Sequence, residues 1–216
     1  LLAGCAGGTT VKVSLPLKYE QITGRICTVS ITGLLGGHSG TEIDKNRGNA
    51  HILMGRLLCG VKGLHINRIY GASEQKDNAI PNECYVELIC EDREALEEAA
   101  KRLIKSFKEQ FRDTDDGMEV RLEFSDPQKR DCLTRDTQDA VFYFLTHTPN
   151  GIHTMSQDIE GLVESSLNLG ILKMDGDEIS FSFGVRSSVP FYKEELSGRL
   201  ESLARKLNGS YERVND

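Results

Sequence analysis

Three polar groups in this chain occupy positions where backbone shape, more than packing, decides their setting. The first is His38, followed by Ser39, in the run Gly33-Leu34-Leu35-Gly36-Gly37-His38-Ser39-Gly40. Four glycines in eight positions call for backbone at φ > 0 or for close approach of another group. A polar side chain on such a turn, held between rigid elements, is where functional residues tend to sit. An imidazole there can donate a hydrogen bond to a developing negative charge; the plainer alternative is a solvated histidine. The second group is Asn78, in Asp77-Asn78-Ala79-Ile80-Pro81-Asn82-Glu83. Its amide can either hold its own backbone in a turn or hydrogen-bond a substrate. The third is Arg186, in Gly184-Val185-Arg186-Ser187-Ser188-Val189-Pro190, on the strand face opposite Phe181, Phe183 and Val185 and just ahead of a helix. Its guanidinium is a planar fork suited to a carboxylate, the alternative being an exposed arginine.

Other chemistries fit the same residues less well. The glycine run precedes a helix, which raises phosphate binding. The lysine of the GxxxxGK[ST] loop is missing, however, and the GxGxxG spacing is not matched. His38 and Ser39 are adjacent, so their side chains point apart, and no third group is at hand to orient them as a nucleophile and base. His51 lies on the following helix beside Arg56 and reads as surface; His65, His147 and His153 are scattered. No two histidines fall at ligand spacing on one helix face, so no metal site is expected in this chain.

The elements that must position these groups follow from periodicity. Alternating apolar residues mark strands at Val11–Leu17, Cys27–Ile31, Cys84–Cys90, Met118–Phe124, Val163–Ile171 and Ile179–Val185. A period of two with one polar face describes antiparallel sheet covered on one side. Helical spacing predicts a helix from about Asp44 to Lys62, carrying Ala50, Leu53, Met54, Leu57, Leu58 and Val61. A second helix is capped by Asp92 and a third runs from about Arg135 to His147. A fourth starts near Pro190 and ends before Gly209. The segment around Asp77–Glu83 connects two strands expected to be hairpin neighbours.

The order over 26–124 is β-α-β-β-α-β, the split-βαβ arrangement. Residues 133–214 repeat it without a first strand, which the strand at 10–17 can supply. The expected fold is therefore α+β: two related open-faced α/β sandwich modules of ferredoxin-like type, with antiparallel sheets and helices on one face. Their bounds are about 18–126 and about 127–216, joined around Asp126-Pro127.

With 33 acidic and 26 basic residues the net charge is -7, which lacks the basic excess of a general nucleic-acid binder. No apolar run nears membrane-spanning length, so the chain reads as soluble. The six cysteines (Cys5, Cys27, Cys59, Cys84, Cys90 and Cys132) show no CxxC pair and read as buried, reduced thiols of a cytosolic protein. Ala3-Gly4-Cys5 is like the end of a lipoprotein signal, but the opening residues lack the charge and apolar length of a signal peptide.

The glycine run, together with Glu42-Ile43-Asp44-Lys45-Asn46-Arg47-Gly48-Asn49-Ala50, resembles the lid-domain signature of aminoacyl-histidine (Xaa-His) dipeptidases. These are dinuclear zinc exopeptidases, in a family that also holds carboxypeptidase- and aminoacylase-type enzymes. The similarity continues in order at Gly4-Cys5-Ala6-Gly7-Gly8, Asn78-Ala79-Ile80-Pro81, Ser165-Ser166-Leu167-Asn168-Leu169-Gly170 and Val185-Arg186-Ser187-Ser188. The resemblance implies that residues 1–216 are a lid inserted between two halves of a metal-binding catalytic domain that lies outside this chain. It implies hydrolysis of dipeptides, with two zinc ions in that other domain polarising the scissile carbonyl and activating a water.

Within the lid the resemblance makes His38 an oxyanion donor, Arg186 the group gripping the substrate's terminal carboxylate, and Asn78 a neutral hydrogen bond beside it. It also implies that the second module stands in for a partner subunit, that the lid alone is inactive, and that a homodimer can form. A cytoplasmic location follows, with neither nucleic acid nor membrane as a partner. The competing class is a non-catalytic small-molecule-binding or dimerisation module.

Overall fold

The computed structural model describes residues 7–214; Gly4, Cys5 and Ala6, which carry part of the N-terminal similarity, and Ala3 lie outside the described residues. Strand β1 (Gly7–Pro16) buries Val11, Val13 and Leu15 on one face and turns Thr10, Lys12 and Ser14 to the other. The chain continues through β2 (Tyr19–Thr32), β3 (Gly37–His38), α1 (Ala50–Leu58), β4 (Leu64–Gly71) and β5 (Ala79–Ile80). Next come β6 (Cys84–Cys90), α2 (Arg93–Phe111) and β7 (Glu119–Leu133). The remainder is α3 (Arg135–His147), β8 (Gly151–Met155), β9 (Val163–Asp175), β10 (Glu178–Ser187), α4 (Pro190–Lys206) and β11 (Ser210–Val214).

Among the described residues the longer strands form two antiparallel sheets, ordered β4-β6-β2-β7 and β11-β1-β10-β9-β8. In the first sheet the strands, counted along the chain, stand in the order 2-3-1-4 of a split βαβ fold. The second sheet repeats that order when β1 is counted first, with β8 added at its edge. The fold is α+β, and one apolar core runs through both sheets and their helices. Phe107, Phe144, Phe181 and Phe183 are fully enclosed in it. Burying each such side chain is worth about 2–3 kcal/mol.

The two sheets meet through equivalent elements. β4 and β9, the second strand of each array, lie side by side, and α1 packs on α3. That helix contact is close because Gly55 has no side chain: a Cβ there would sit 2.7 Å from Cβ of Leu145. No ladder joins β4 to β9 among the described residues. Side-chain amides replace the missing rungs. Gln138 of α3 accepts from the Ile66 N–H at 2.9 Å and donates to the Leu64 carbonyl at 2.9 Å. From the other side, Gln75 accepts from the Leu172 N–H at 2.8 Å and donates to its carbonyl at 2.9 Å. Backbone groups at a buried seam are thus kept paired.

Four local readings need correction. The helix expected over 44–62 is a 3-10 turn at Ile43–Lys45 followed by the shorter α1, because Asn46 adopts φ 48 and breaks the run. Cys59 lies past the end of α1 and is exposed instead of buried. His51 is fully buried instead of superficial, since α1 is covered by the second sheet's elements. Asp126-Pro127 is not a joint but part of β7, beside a register shift against β2. A proline is tolerated there because β7 is an edge strand.

Candidate functional site

The glycine run leaves β2 and crosses to α1 through residues whose φ values are +80 at Gly33, +63 at Gly36 and +134 at Gly37, all in the region glycine enters freely. Asp115, 1% exposed, holds both ends of this loop: its carboxylate accepts from the Leu35 N–H at 3.1 Å and the Gly48 N–H at 3.0 Å. Arg47 donates to the Gly36 carbonyl and pairs with Glu42 at 3.0 Å. Glu42 in turn accepts from the His38 N–H at 2.9 Å, and this bond above all holds its carboxyl below the usual carboxylate range. The middle of the loop is pinned by the short β3–β5 ladder, which sets His38 opposite Ala79. The Ser39 N–H adds a bond to the Asn78 carbonyl at 2.8 Å.

The His38 ring is exposed, yet one side of it is fixed. Its Nδ1 accepts from the backbone N–H groups of Gly40 and Thr41, both at 3.1 Å, with the Thr41 hydroxyl at 3.3 Å. Backbone amides can only donate, so in the neutral ring the proton must sit on Nε2. The loop therefore presents His38 as an outward donor. Ser39 is buried, and its Oγ makes no hydrogen bond among the described residues. That oxygen lies toward Gly184, which argues against a Ser39–His38 nucleophile.

Arg186 is brought to the same place from the second sheet. It sits on β10 between Gly8 of β1 and Ser166 of β9. A Cβ placed on Gly40 would be 2.9 Å from His38 Cε1 and 3.1 Å from Arg186 Cζ, so imidazole and guanidinium face each other across that glycine. Arg186 is half-buried, its Nε is buried without a hydrogen-bond partner, and no ion pair to it occurs among the described residues. Cations in that situation are normally paired. Asn78 is exposed at the rim, one residue from Asp77, whose carbonyl lies against Gly184 on the strand that carries Arg186.

Sequence reasoning singled out these three residues but gave no part to the groups that lie beneath and beside them: Asp115, Gln75, Gly170 and Gly184. Two of these left a signal, since an isolated glycine inside an alternating strand marks a bulge or a close backbone approach. Among the described residues no three His, Cys, Asp or Glu side chains converge as a metal site. The buried thiols are inert: burial pushes Cys27 up to about 12 and Cys132 up to about 11. Among the described residues no helix is long and apolar enough to cross a membrane.

The chain can now be set beside known proteins. Residues 29–119 match the peptidase dimerisation domain family. Over 207 residues the chain is 29% identical to the cytosol non-specific dipeptidase of Escherichia coli (strain K12), covering 94% of this chain and 42% of that protein. The crystal structure of aminoacylhistidine dipeptidase from Vibrio alginolyticus superposes with a TM-score of 0.88 and 27% identity, over 98% of this chain and 44% of that one. The class of the fold is therefore that of a dipeptidase-associated domain. More particularly, the resemblance read from the glycine turn holds at this level: the chain fits the dimerisation or lid domain of a peptidase, and it is similar to that part of both dipeptidases. It spans less than half the length of both relatives.

Proposed function

We propose that this chain is the substrate-binding lid of a dipeptidase of the Xaa-His type that hydrolyses short peptides in the cytoplasm. Its metal-bearing catalytic domain would be supplied by the rest of the same polypeptide. The lid comprises two modules that divide after β7, past the joint expected at 126–127, the second completed by the strand at 10–17 and taking the place of a partner subunit. The observation that carries this reading is Arg186, a half-buried guanidinium with no counter-charge among the described residues, facing an imidazole that presents Nε2–H. Such a pair fits a ligand with a carboxylate and, close by, a second oxygen that gains negative charge.

In this reading Arg186 grips the free C-terminal carboxylate, with the Asn78 amide beside it. The His38 Nε2–H donates to the oxyanion that forms at the scissile carbonyl. Measuring the substrate from its terminus is what an exopeptidase needs: a carboxylate one residue too far misses the cleavage point. The cofactor expected from the resemblance is zinc, two ions, with its ligands in the other domain. The described residues offer no donor set for it, and this chain's own contribution is binding, orientation and one hydrogen bond.

In the polypeptide joining this chain to its catalytic domain, His38→Ala should lower kcat by about 10²–10³-fold, the usual loss for one oxyanion donor. Arg186→Ala should raise KM for a free dipeptide and leave the same dipeptide amide little changed. Unchanged kcat removes His38 from the mechanism; equal losses on acid and amide remove the carboxylate clamp. The 216-residue chain alone, assayed with added zinc, should show no turnover.

A second reading, a non-catalytic dimerisation module, draws on the family matched by residues 29–119. Sedimentation of wild-type chain separates the two. A stable dimer whose formation buries Arg186, and which excludes dipeptide, would favour it.

A further inference from the structure

Between β4 and β6 the chain makes no tight hairpin. Residues 72–83 instead leave the first sheet and run as a strap over the outward face of the second. The anchors of this strap on the second sheet are to backbone or to a small polar group. Gln75 makes its paired bonds to the Leu172 N–H and carbonyl, at 2.8 and 2.9 Å. The Thr10 hydroxyl donates to the Asp77 carboxylate at 3.2 Å, and the Asn168 amide donates to the Ala79 carbonyl at 2.7 Å.

Beneath the strap lie two glycines. A Cβ on Gly170 would stand 2.6 Å from the Asp77 carbonyl oxygen and 2.7 Å from that of Lys76; on Gly184 it would stand 3.2 Å from Asp77. Gly170 is the extra residue of a β-bulge: Ser182 pairs with Ile171 and Phe183 with Leu169, so Gly170 has no partner opposite it. A bulge bends its strand locally and moves the pairing by one residue beyond it, as it does here between Ser182 and Phe183. At this one the bulged residue is a glycine, and the strap's carbonyls take the space its side chain would fill.

The strap carries Asn78 directly. It carries His38 through the His38–Ala79 rung and the Ser39 N–H bond to the Asn78 carbonyl. Arg186 lies two residues beyond Gly184 on the same face of β10, roughly 7 Å along the strand. We infer that the strap, seated on Gly170 and Gly184 and clamped by Gln75, sets the spacing of His38 and Asn78 from Arg186. Gln75 and Gly170 are then positioning residues of the site. This rests on the lid reading above.

The sterics give a graded test. Gly170 and Gly184 do not have φ values in the left-handed region, so alanine can take either backbone and only the contact with the strap is offended. Gly170→Ala must lift the strap; Gly184→Ala asks for a few tenths of an ångström. Gln75→Leu removes the clamp without touching the seat. Gln138→Leu is the control, because Gln138 makes the same kind of paired bond, to Ile66 and Leu64, away from the strap.

In the 216-residue chain, amide hydrogen exchange at Ser39 should speed up in Gly170→Ala and Gln75→Leu and stay as in wild type in Gln138→Leu. In the polypeptide carrying the catalytic domain, Gly170→Ala and Gln75→Leu should each lower kcat by about 10²-fold, the cost of misplacing a reacting group by about 1 Å. Gly184→Ala should lower it less, and Gln138→Leu should lower only the unfolding temperature. Wild-type exchange at Ser39 in both strap variants overturns the inference without reference to activity. Wild-type kcat and KM in both, while His38→Ala and Arg186→Ala are crippled, overturns it on activity. If His38→Ala and Arg186→Ala are themselves silent, the lid reading has failed and the functional part of the inference falls with it.

Discussion

At the scale of single residues the seam between the sheets encloses a histidine whose ionisation departs far from its solution value. His51 of α1 is 0% exposed, and neither ring nitrogen makes a well-formed hydrogen bond. Burial pushes its pKa down to about 3, the nearby Leu169 backbone offsetting only part of the effect. A histidine free in the unfolded chain titrates near 6.5, so below that pH the unfolded state takes up a proton that the folded state refuses. The stability His51 allows is complete above pH 6.5 and is lost as the pH falls toward 3, at about 1.4 kcal/mol per pH unit. Denaturant unfolding of wild type and His51→Gln between pH 7 and pH 4 should therefore give stability curves that diverge with that slope. Parallel curves would mean that His51 ionises freely in the folded chain. The burial of this histidine was not readable from sequence, where Arg56 nearby spoke for an exposed face. What lies against His51 is Leu169 of β9 together with Gly71 at the end of β4, neither of them near it in sequence. His38 and Arg186 were readable because glycines and a strand end announce them; the missing counter-ion of Arg186 was not.

At the scale of elements, caps decide where helices begin, and two of them should behave very differently. Asp92 caps α2 at the surface, its carboxylate accepting from the Ala95 N–H at 2.9 Å. Asp92→Ala should cost about 1 kcal/mol, the usual value of an exposed cap. Asn49 caps α1 through Oδ1, which accepts from the His51 and Ile52 N–H groups at 3.1 and 3.3 Å. Its Nδ2 meanwhile donates across the seam to the Asn168 side chain at 3.1 Å and the Leu169 carbonyl at 3.0 Å. Asn49→Ala loses the cap and strands buried acceptors, each worth about 1–3 kcal/mol. Asn49→Asp is the sharper variant, since it keeps the cap acceptor but sets a carboxylate against the three oxygens that Nδ2 meets, those of Asn150, Asn168 and Leu169. Both should destabilise by more than about 3 kcal/mol in denaturant melts; a loss no larger than that of Asp92→Ala would show that the seam bonds carry nothing. Asp92 followed by an apolar stripe was legible as a helix start. Asn49 was not, because the stripe over 44–62 continues through it. Only Asn46 in the left-handed region and the bonds of Asn49 show where the helix begins.

At the scale of the whole molecule the connectivity makes a prediction that neither sheet makes alone. β1 precedes all of the first sheet in the chain, yet it lies between β10 and β11 of the second, with Gly7–Pro16 paired along β10 and Thr10–Ser14 along β11. Alternation marks β1 as a strand, but alternation alone names no partner, and the register with Phe181 and Phe183 appears only in the folded chain. Val11 and Val13 are 0% exposed, Leu15 is 2% and Leu17, just past the strand, 5%, so deleting the chain through residue 17 removes four core side chains. At about 2–3 kcal/mol each, that loss alone is comparable to the 5–15 kcal/mol by which domains of this size are stable. It also leaves β11 without its neighbour and β10 as a bare edge. The first sheet keeps all four of its strands and the α2 face of its core. It nevertheless loses the cover over α1 and the Gln138 bonds to β4 once the second array comes apart. A chain beginning at residue 18 should therefore lose the dispersed amide resonances of β9, β10 and β11 and show faster exchange in β4. β2, β6 and β7 should keep the slowest exchange. A peptide of residues 7–17 added in trans should restore the lost resonances, because it carries the whole pairing edge of β1. Retention of the β9–β11 resonances without the peptide would show that β1 is an accessory strand, and that the core from Val11 to Leu15 is replaceable by local collapse.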